Sequence, residues 1–177
     1  MKETKGIDNM KIAFLDRDGT IIEDYPDKDW TNVKYPDFLE GSIDGLSYLQ
    51  NKGYQIIIIT NQYIIQDGII DESQFFEFHQ LLIKELENKG ISILDTFYCP
   101  HNDQAQCQCK KPKTGLIDAA LIRYPKIDLS KSILIGDSEC DADLAARMNI
   151  SFYSVNKSLV NKSCAYIKNL NDIRDYL

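Results

Sequence analysis

The chain is predicted to adopt an α/β fold built on a doubly wound, mostly parallel sheet. Three observations predict this. Short apolar segments recur at Lys11–Leu15, Gln55–Ile59, Leu94–Tyr98, Ser132–Ile135 and Ser151–Val155. Stretches with helical periodicity separate them, and strands that alternate with helices wind a parallel sheet. Finally, Gln55-Ile56-Ile57-Ile58-Ile59 lacks polar alternation, as a strand covered on both faces requires.

Each element has its own signal. The first strand runs into Phe14-Leu15-Asp16-Arg17-Asp18-Gly19-Thr20. Residues two apart at a strand's end point the same way, so Asp16 and Asp18 face one site and Arg17 faces elsewhere. Tyr25 to Phe38 mixes Pro, Asp and aromatics without periodicity and reads as a long loop near that site. Ile43, Leu46 and Leu49 mark one helix face, which Gly53 can end. After the isoleucine strand, Asp71-Glu72-Ser73-Gln74 resembles a capping box, and Phe75, Phe78, Leu82 and Leu86 follow at helical spacing up to Gly90. Leu116, Ala119, Ala120 and Arg123 indicate a third helix, Asp141 to Met148 a fourth, and a short one is expected near the C-terminus. There is no repeat, low-complexity tract or linker, so residues 1–177 are expected to form a single domain.

Composition narrows the function. With 177 residues, 44% apolar and 27% charged, the chain can bury a full core. A formal net charge of −7 argues against a nucleic-acid or membrane-surface binder, so an anionic ligand must be held locally. No apolar run is long enough to span a bilayer, and the polar start Met1-Lys2-Glu3-Thr4-Lys5 lacks the apolar stretch of a signal peptide. A cytoplasmic monomer is the expectation.

Three strands end in polar residues: Asp16 follows the first, Thr60 the second and Asp137 the Ile133-Leu134-Ile135-Gly136 strand. In open parallel sheets ligands bind beyond the strands' carboxyl ends. Each residue could cap a turn or helix, but that does not account for their convergence. Asp16 is the candidate nucleophile, forming an aspartyl phosphate. Asp18 would protonate the leaving oxygen and later accept a proton from water. Carboxylates and phosphate repel, so a hard cation, Mg2+, is expected on Asp16 and Asp137. Asp141 is a further ligand, a partner of the ligands, or a helix N-terminal carboxylate favoured by the dipole. Thr60 and Asn61 can donate to phosphoryl oxygens. Lys110, Lys111 and Lys113 are candidates to neutralise transition-state charge.

Of five cysteines, Cys99, Cys107 and Cys109 lie beside His101, a soft ligand set suited to tetrahedral Zn2+. Four protein ligands close such a site, so the zinc would be structural and would order the loop that carries the lysines. Cys140 and Cys164 are expected to be free thiols.

Together these residues resemble the haloacid dehalogenase superfamily of aspartyl phosphatases, in its heptose-bisphosphate and histidinol-phosphate phosphatase branch, over roughly Ile12 to Val155. Residues 14 to 20 are similar to the first motif, Thr60-Asn61-Gln62 to the second, Lys111-Pro112 to the third, and Gly136-Asp137 with Asp141 to the fourth. The resemblance implies a Rossmann-like, capless fold with a zinc-binding loop. It assigns catalysis to Asp16, Asp18, Thr60 and Lys111, and magnesium to Asp16, the Asp18 backbone carbonyl and Asp137. Specificity would rest on the Asp24–Asp37 loop, the segment after Thr60 and the zinc loop, with Asn61, Gln62, Tyr63, Lys110, Asp24 and Tyr25 as candidate substrate contacts. The implied substrate is a small phosphorylated metabolite, first a heptose 1,7-bisphosphate and alternatively histidinol phosphate or another sugar phosphate. Tyr63-Ile64, Asp67, Lys110 and Ser138 depart from the branch and thin the basic groups a second phosphate needs. A polynucleotide-end phosphatase on the same fold is disfavoured by the acidic composition, and a phosphate-binding module by the intact Asp16 and Asp18 pair.

Overall fold

The computed structural model describes residues 9–159 and 165–177. The N-terminal polar stretch and Cys164 lie outside them. β1 (Ile12–Leu15), β2 (Gln55–Asn61), β3 (Ile93–Cys99), β4 (Ile133–Gly136), β5 (Ser151–Ser154) and β6 (Ala165–Tyr166) form one sheet in the order β3-β2-β1-β4-β5-β6. Every pairing is parallel. The chain runs outward from β1 through β2 to β3, then returns to β4 on the other side of β1. That reversal places a crevice at the carboxyl ends of β1 and β4.

The helices are α1 (Ser42–Asn51), α2 (Glu72–Asn88), α3 (Gly115–Arg123) and α4 (Glu139–Met148). Alternate residues of the central strands enter opposite cores. Ala13, Leu15, Ile56, Ile58, Ile133 and Ile135 pack with Leu46 and Leu49 of α1 and Phe75, Leu82 and Leu86 of α2. Ile12, Phe14, Ile57, Ile59 and Leu134 pack with Leu116, Ile117 and Ala120 of α3 and Leu144 and Ala145 of α4. Ile56 to Ile59 are fully buried, each contributing roughly 1.5–3 kcal/mol. The unbroken isoleucine run therefore serves two cores at once.

The capping box before α2 is formed: Gln74 N donates to Asp71 Oδ1 at 2.8 Å and Asp71 N to Gln74 Oε1 at 2.9 Å. α4 starts two residues before the predicted Asp141, because Ser138 caps it and Asp141 completes the box. β2 extends through Thr60 and Asn61, which are strand residues rather than the turn beyond it. β6 has only two residues and no periodicity to announce it. The expected C-terminal helix is a 3₁₀ segment, Leu170–Asp175. The Tyr25 to Phe38 loop contains a 3₁₀ turn at Asp27–Asp29. Among the described residues no helix is long and apolar enough to cross a membrane.

Candidate active site

Register delivers the polar groups to one edge. Leu15 pairs with Ile58 on one side and Ile135 on the other, and Asp16 N donates to Ile135 O at 3.0 Å. A cavity of about 330 Å³ opens there. Its walls include Asp16, Asp18, Thr60, Lys111 and Asp137, and Asp24, Asp27, Tyr63 and Lys110 also line it.

Lys111 is the hub. Its ammonium, 3% exposed, donates to Asp16 Oδ1 at 2.7 Å, Asp141 Oδ1 at 2.7 Å and Ile59 O at 3.1 Å. Burial works against this charge, but Asp141 and Asp16 hold its pKa above the usual lysine value. Asp16 is pushed well up by burial; Lys111 opposes the shift, while Asp141, Asp137 and Asp18 add to it. Burial, then Asp141, also raises Asp137. Asp16, Asp137 and Asp141 bring carboxylate oxygens within 4.8 Å of one another, a concentration of negative charge that suits a hard divalent cation. Asp141 is otherwise engaged: Oδ1 accepts from Lys111, while Oδ2 accepts from Ser138 Oγ at 2.6 Å and Ser138 N at 3.2 Å. It is a partner of Lys111 at the start of α4.

Two glycines make room for this cluster. Gly19 has φ +78°, and a Cβ there would lie 2.4 Å from Asp137 Oδ2. A Cβ on Gly136 would meet Asp141 Cγ at 2.4 Å.

Several predicted contacts are differently employed. The Asn61 carboxamide exchanges two hydrogen bonds with the Lys111 backbone. Gln62 is buried, and its amide donates to Asp18 Oδ2 at 2.7 Å and Thr60 Oγ1 at 2.8 Å, so it ties these two side chains together. Tyr25 is not among the cavity's lining residues: its hydroxyl donates to Asp37, and its ring meets Trp30 edge-on at 5.5 Å. Lys110 reaches the cavity, pairs with Asp103 at 2.7 Å and lies 4.9 Å over the Tyr63 ring. Lys113 donates to Cys107 O and belongs to the cysteine loop. Arg17 does not simply face away: its guanidinium returns to Asp18 at 2.8 and 2.9 Å.

Sequence reasoning also misses Asp27, which accepts from the Tyr63 hydroxyl at 2.9 Å. It arrives on a 3₁₀ turn that no spacing marks. Asp24 is raised to about 6 by burial, then by repulsion from Asp18, Asp137 and Asp27.

Cys99, His101, Cys107 and Cys109 converge. Cys99 Sγ is 3.0 Å from Cys109 Sγ and 3.6 Å from Cys107 Sγ, and His101 Nδ1 is 3.2 Å from Cys109 Sγ. Three thiols and an imidazole at one point fit a tetrahedral soft-metal site.

The polynucleotide kinase 3 phosphatase family matches residues 11–158. A probable D-glycero-D-manno-heptose-1,7-bisphosphate 7-phosphatase of Thermoplasma volcanium is 41% identical over 146 residues, covering 81% of this chain and 97% of that protein. The histidine biosynthesis bifunctional protein HisB of Legionella pneumophila is 31% identical over 148 residues, 84% of this chain and 42% of that protein. Among solved structures, D,D-heptose 1,7-bisphosphate phosphatase from B. bronchiseptica, complexed with magnesium and phosphate, superposes with a TM-score of 0.82 at 23% identity, covering 94% of this chain and 97% of that one. Since the matched residues span β1 to β5 and every strand that feeds the cavity, the chain belongs to the polynucleotide kinase 3 phosphatase family, a phosphatase with the haloacid-dehalogenase-like fold.

Proposed function

We propose that the chain is a Mg2+-dependent phosphomonoester hydrolase, a single phosphatase domain that removes phosphate from a heptose 1,7-bisphosphate or a close sugar phosphate. The observation that carries the chemistry is Asp16, Asp18, Lys111 and Asp137 lining one cavity, with the carboxylates of Asp16, Asp137 and Asp141 clustered at its floor. The 41% identity to a protein named for heptose bisphosphate supports the substrate. Asp16 attacks phosphorus, the bond from phosphorus to the alcohol oxygen breaks, and Asp18 gives its proton to that oxygen. Water then attacks the aspartyl phosphate and yields its proton to Asp18, releasing phosphate and restoring the Asp16 carboxylate. Lys111 offsets charge on the phosphoryl oxygens, and Thr60 donates to them. Asp16, Asp137 and the Asp18 carbonyl would hold magnesium, which would supply further charge neutralisation. Zinc on the Cys99, His101, Cys107 and Cys109 loop would hold the segment bearing Lys110 and Lys111 in place.

Histidinol phosphate is the second reading. Asp24 and Asp27 at the rim suit a substrate amine, and the HisB relative supports it. The test is phosphate release from heptose 1,7-bisphosphate, histidinol phosphate and simple sugar phosphates with Mg2+, comparing wild type with Asp16→Asn. Turnover of the heptose compound, abolished by the substitution, is expected. Preference for histidinol phosphate would replace the substrate, and no Asp16-dependent turnover would overturn the mechanism.

A further inference from the structure

We infer that Arg17 is a positioning residue for Asp18, a role that rests on the phosphatase reading and goes beyond it. Neighbours along an extended chain diverge, yet the turn after β1, closed by Ile21 N donating to Arg17 O at 2.9 Å and Gly19 N to Ile22 O at 2.8 Å, lets these two side chains meet. Arg17 Nε donates to Asp18 Oδ1 at 2.8 Å and Nη2 to Oδ2 at 2.9 Å, a two-pronged grip that fixes the carboxyl plane. Gln62 adds a second donor to Oδ2. A carboxylate offers about four acceptor positions, so the two on Oδ2 are filled and the open one lies on Oδ1, from which the proton leaves for the departing oxygen.

The guanidinium is itself caged. Arg17 is 1% exposed, and its Cζ lies 5.4 Å from the Trp30 ring centre, 5.3 Å from Phe75 and 5.5 Å from Phe78. Its Nη1 is buried without a hydrogen-bond acceptor. Ring faces attract a flat cation, and Asp18 is the only carboxylate paired with it among the described residues. An aromatic cage therefore sets Arg17, and Arg17 sets the angle of Asp18.

A grip on the proton donor matters most when the leaving group is basic. Phenyl phosphate and p-nitrophenyl phosphate have nearly the same shape, but phenolate needs a proton far more than nitrophenolate does. In Arg17→Lys, which keeps the charge and loses the fork, the phenyl to p-nitrophenyl ratio of kcat/KM is expected to fall about tenfold, within the ~10²–10⁴ range of acid catalysis. The Asp18→Asn ratio marks full loss of the acid. A purely structural role would lower both rates together, and an unchanged ratio in folded Arg17→Lys overturns the assignment. If Arg17→Lys does not fold, Phe78→Leu, which removes one cage wall, decides in its place: a lowered ratio supports the role and an unchanged one overturns it. Wild type that hydrolyses neither ester would overturn the phosphatase reading itself.

Discussion

Asn61 and Lys111, far apart in sequence, are joined by two hydrogen bonds: Lys111 N donates to Asn61 Oδ1 at 2.9 Å, and Asn61 Nδ2 donates to Lys111 O at 3.1 Å. The end of β2 thus anchors the backbone whose side chain meets Asp16. Asn61→Ala is expected to cost about 2 kcal/mol of stability, at roughly 1 kcal/mol per hydrogen bond. It should also lower kcat by about tenfold or more, because small misplacements of reacting groups are costly. Thermal melts and phosphate release measure the two effects separately.

His79 gives a pH signature in stability. Burial, then the Arg17 charge, lowers its imidazole from 6.5 to about 4. Between those values the unfolded chain binds a proton that the folded chain refuses, so stability is lost as pH falls through this window. The contribution is about 3 kcal/mol at one pKa unit per 1.36 kcal/mol. His79→Gln, which still offers Thr96 a hydrogen-bonding partner, should lose less stability than wild type between pH 7 and pH 4. Parallel urea melts in which both lose equally would refute this.

Asp24 titrates at the cavity wall, raised to about 6. It is charged at pH 7 and repels an anionic substrate; near pH 5 it is mostly neutral. The ratio of wild-type KM to Asp24→Asn KM should therefore shrink from about threefold at pH 7 towards unity at pH 5, on the scale of a partly exposed charge interaction.

Metal analysis should find one zinc ion per chain at the cysteine loop. Stripping it with a strong chelator, or replacing Cys109 by Ala, is expected to lower the melting temperature by about 5–10 °C, as 2–3 kcal/mol does in a chain of this length. Turnover should fall too, since Lys113 holds Cys107 O and the loop leads directly into Lys111. Metal content by mass spectrometry, followed by re-addition of zinc, checks both effects.

What could be read from the sequence was whatever leaves a periodic or local trace. The isoleucine run announced a strand between two cores, and Asp71 with Gln74 announced the start of α2. Asp16, Asp18 and Asp137 stood at strand ends, where the sheet makes them neighbours. Two-residue β6 offers no period to detect. The uses of Asn61, Gln62 and Arg17 depend on which partner lies across a turn or strand, and their identity alone suggests only that they can donate hydrogen bonds. Tyr25 went to Asp37 because the loop folds on its own aromatics.

The strand order has a consequence for diversification. Asp16, Thr60 and Asp137 ride on three adjacent central strands, β1, β2 and β4, whose spacing is locked by backbone pairing and two packed cores. Asp24 and Asp27 sit on the connection between β1 and α1, which can lengthen, shorten or be exchanged without moving those strands. Transplanting a rim loop from a relative should therefore retarget the catalyst to a new phosphate ester while leaving its reaction intact.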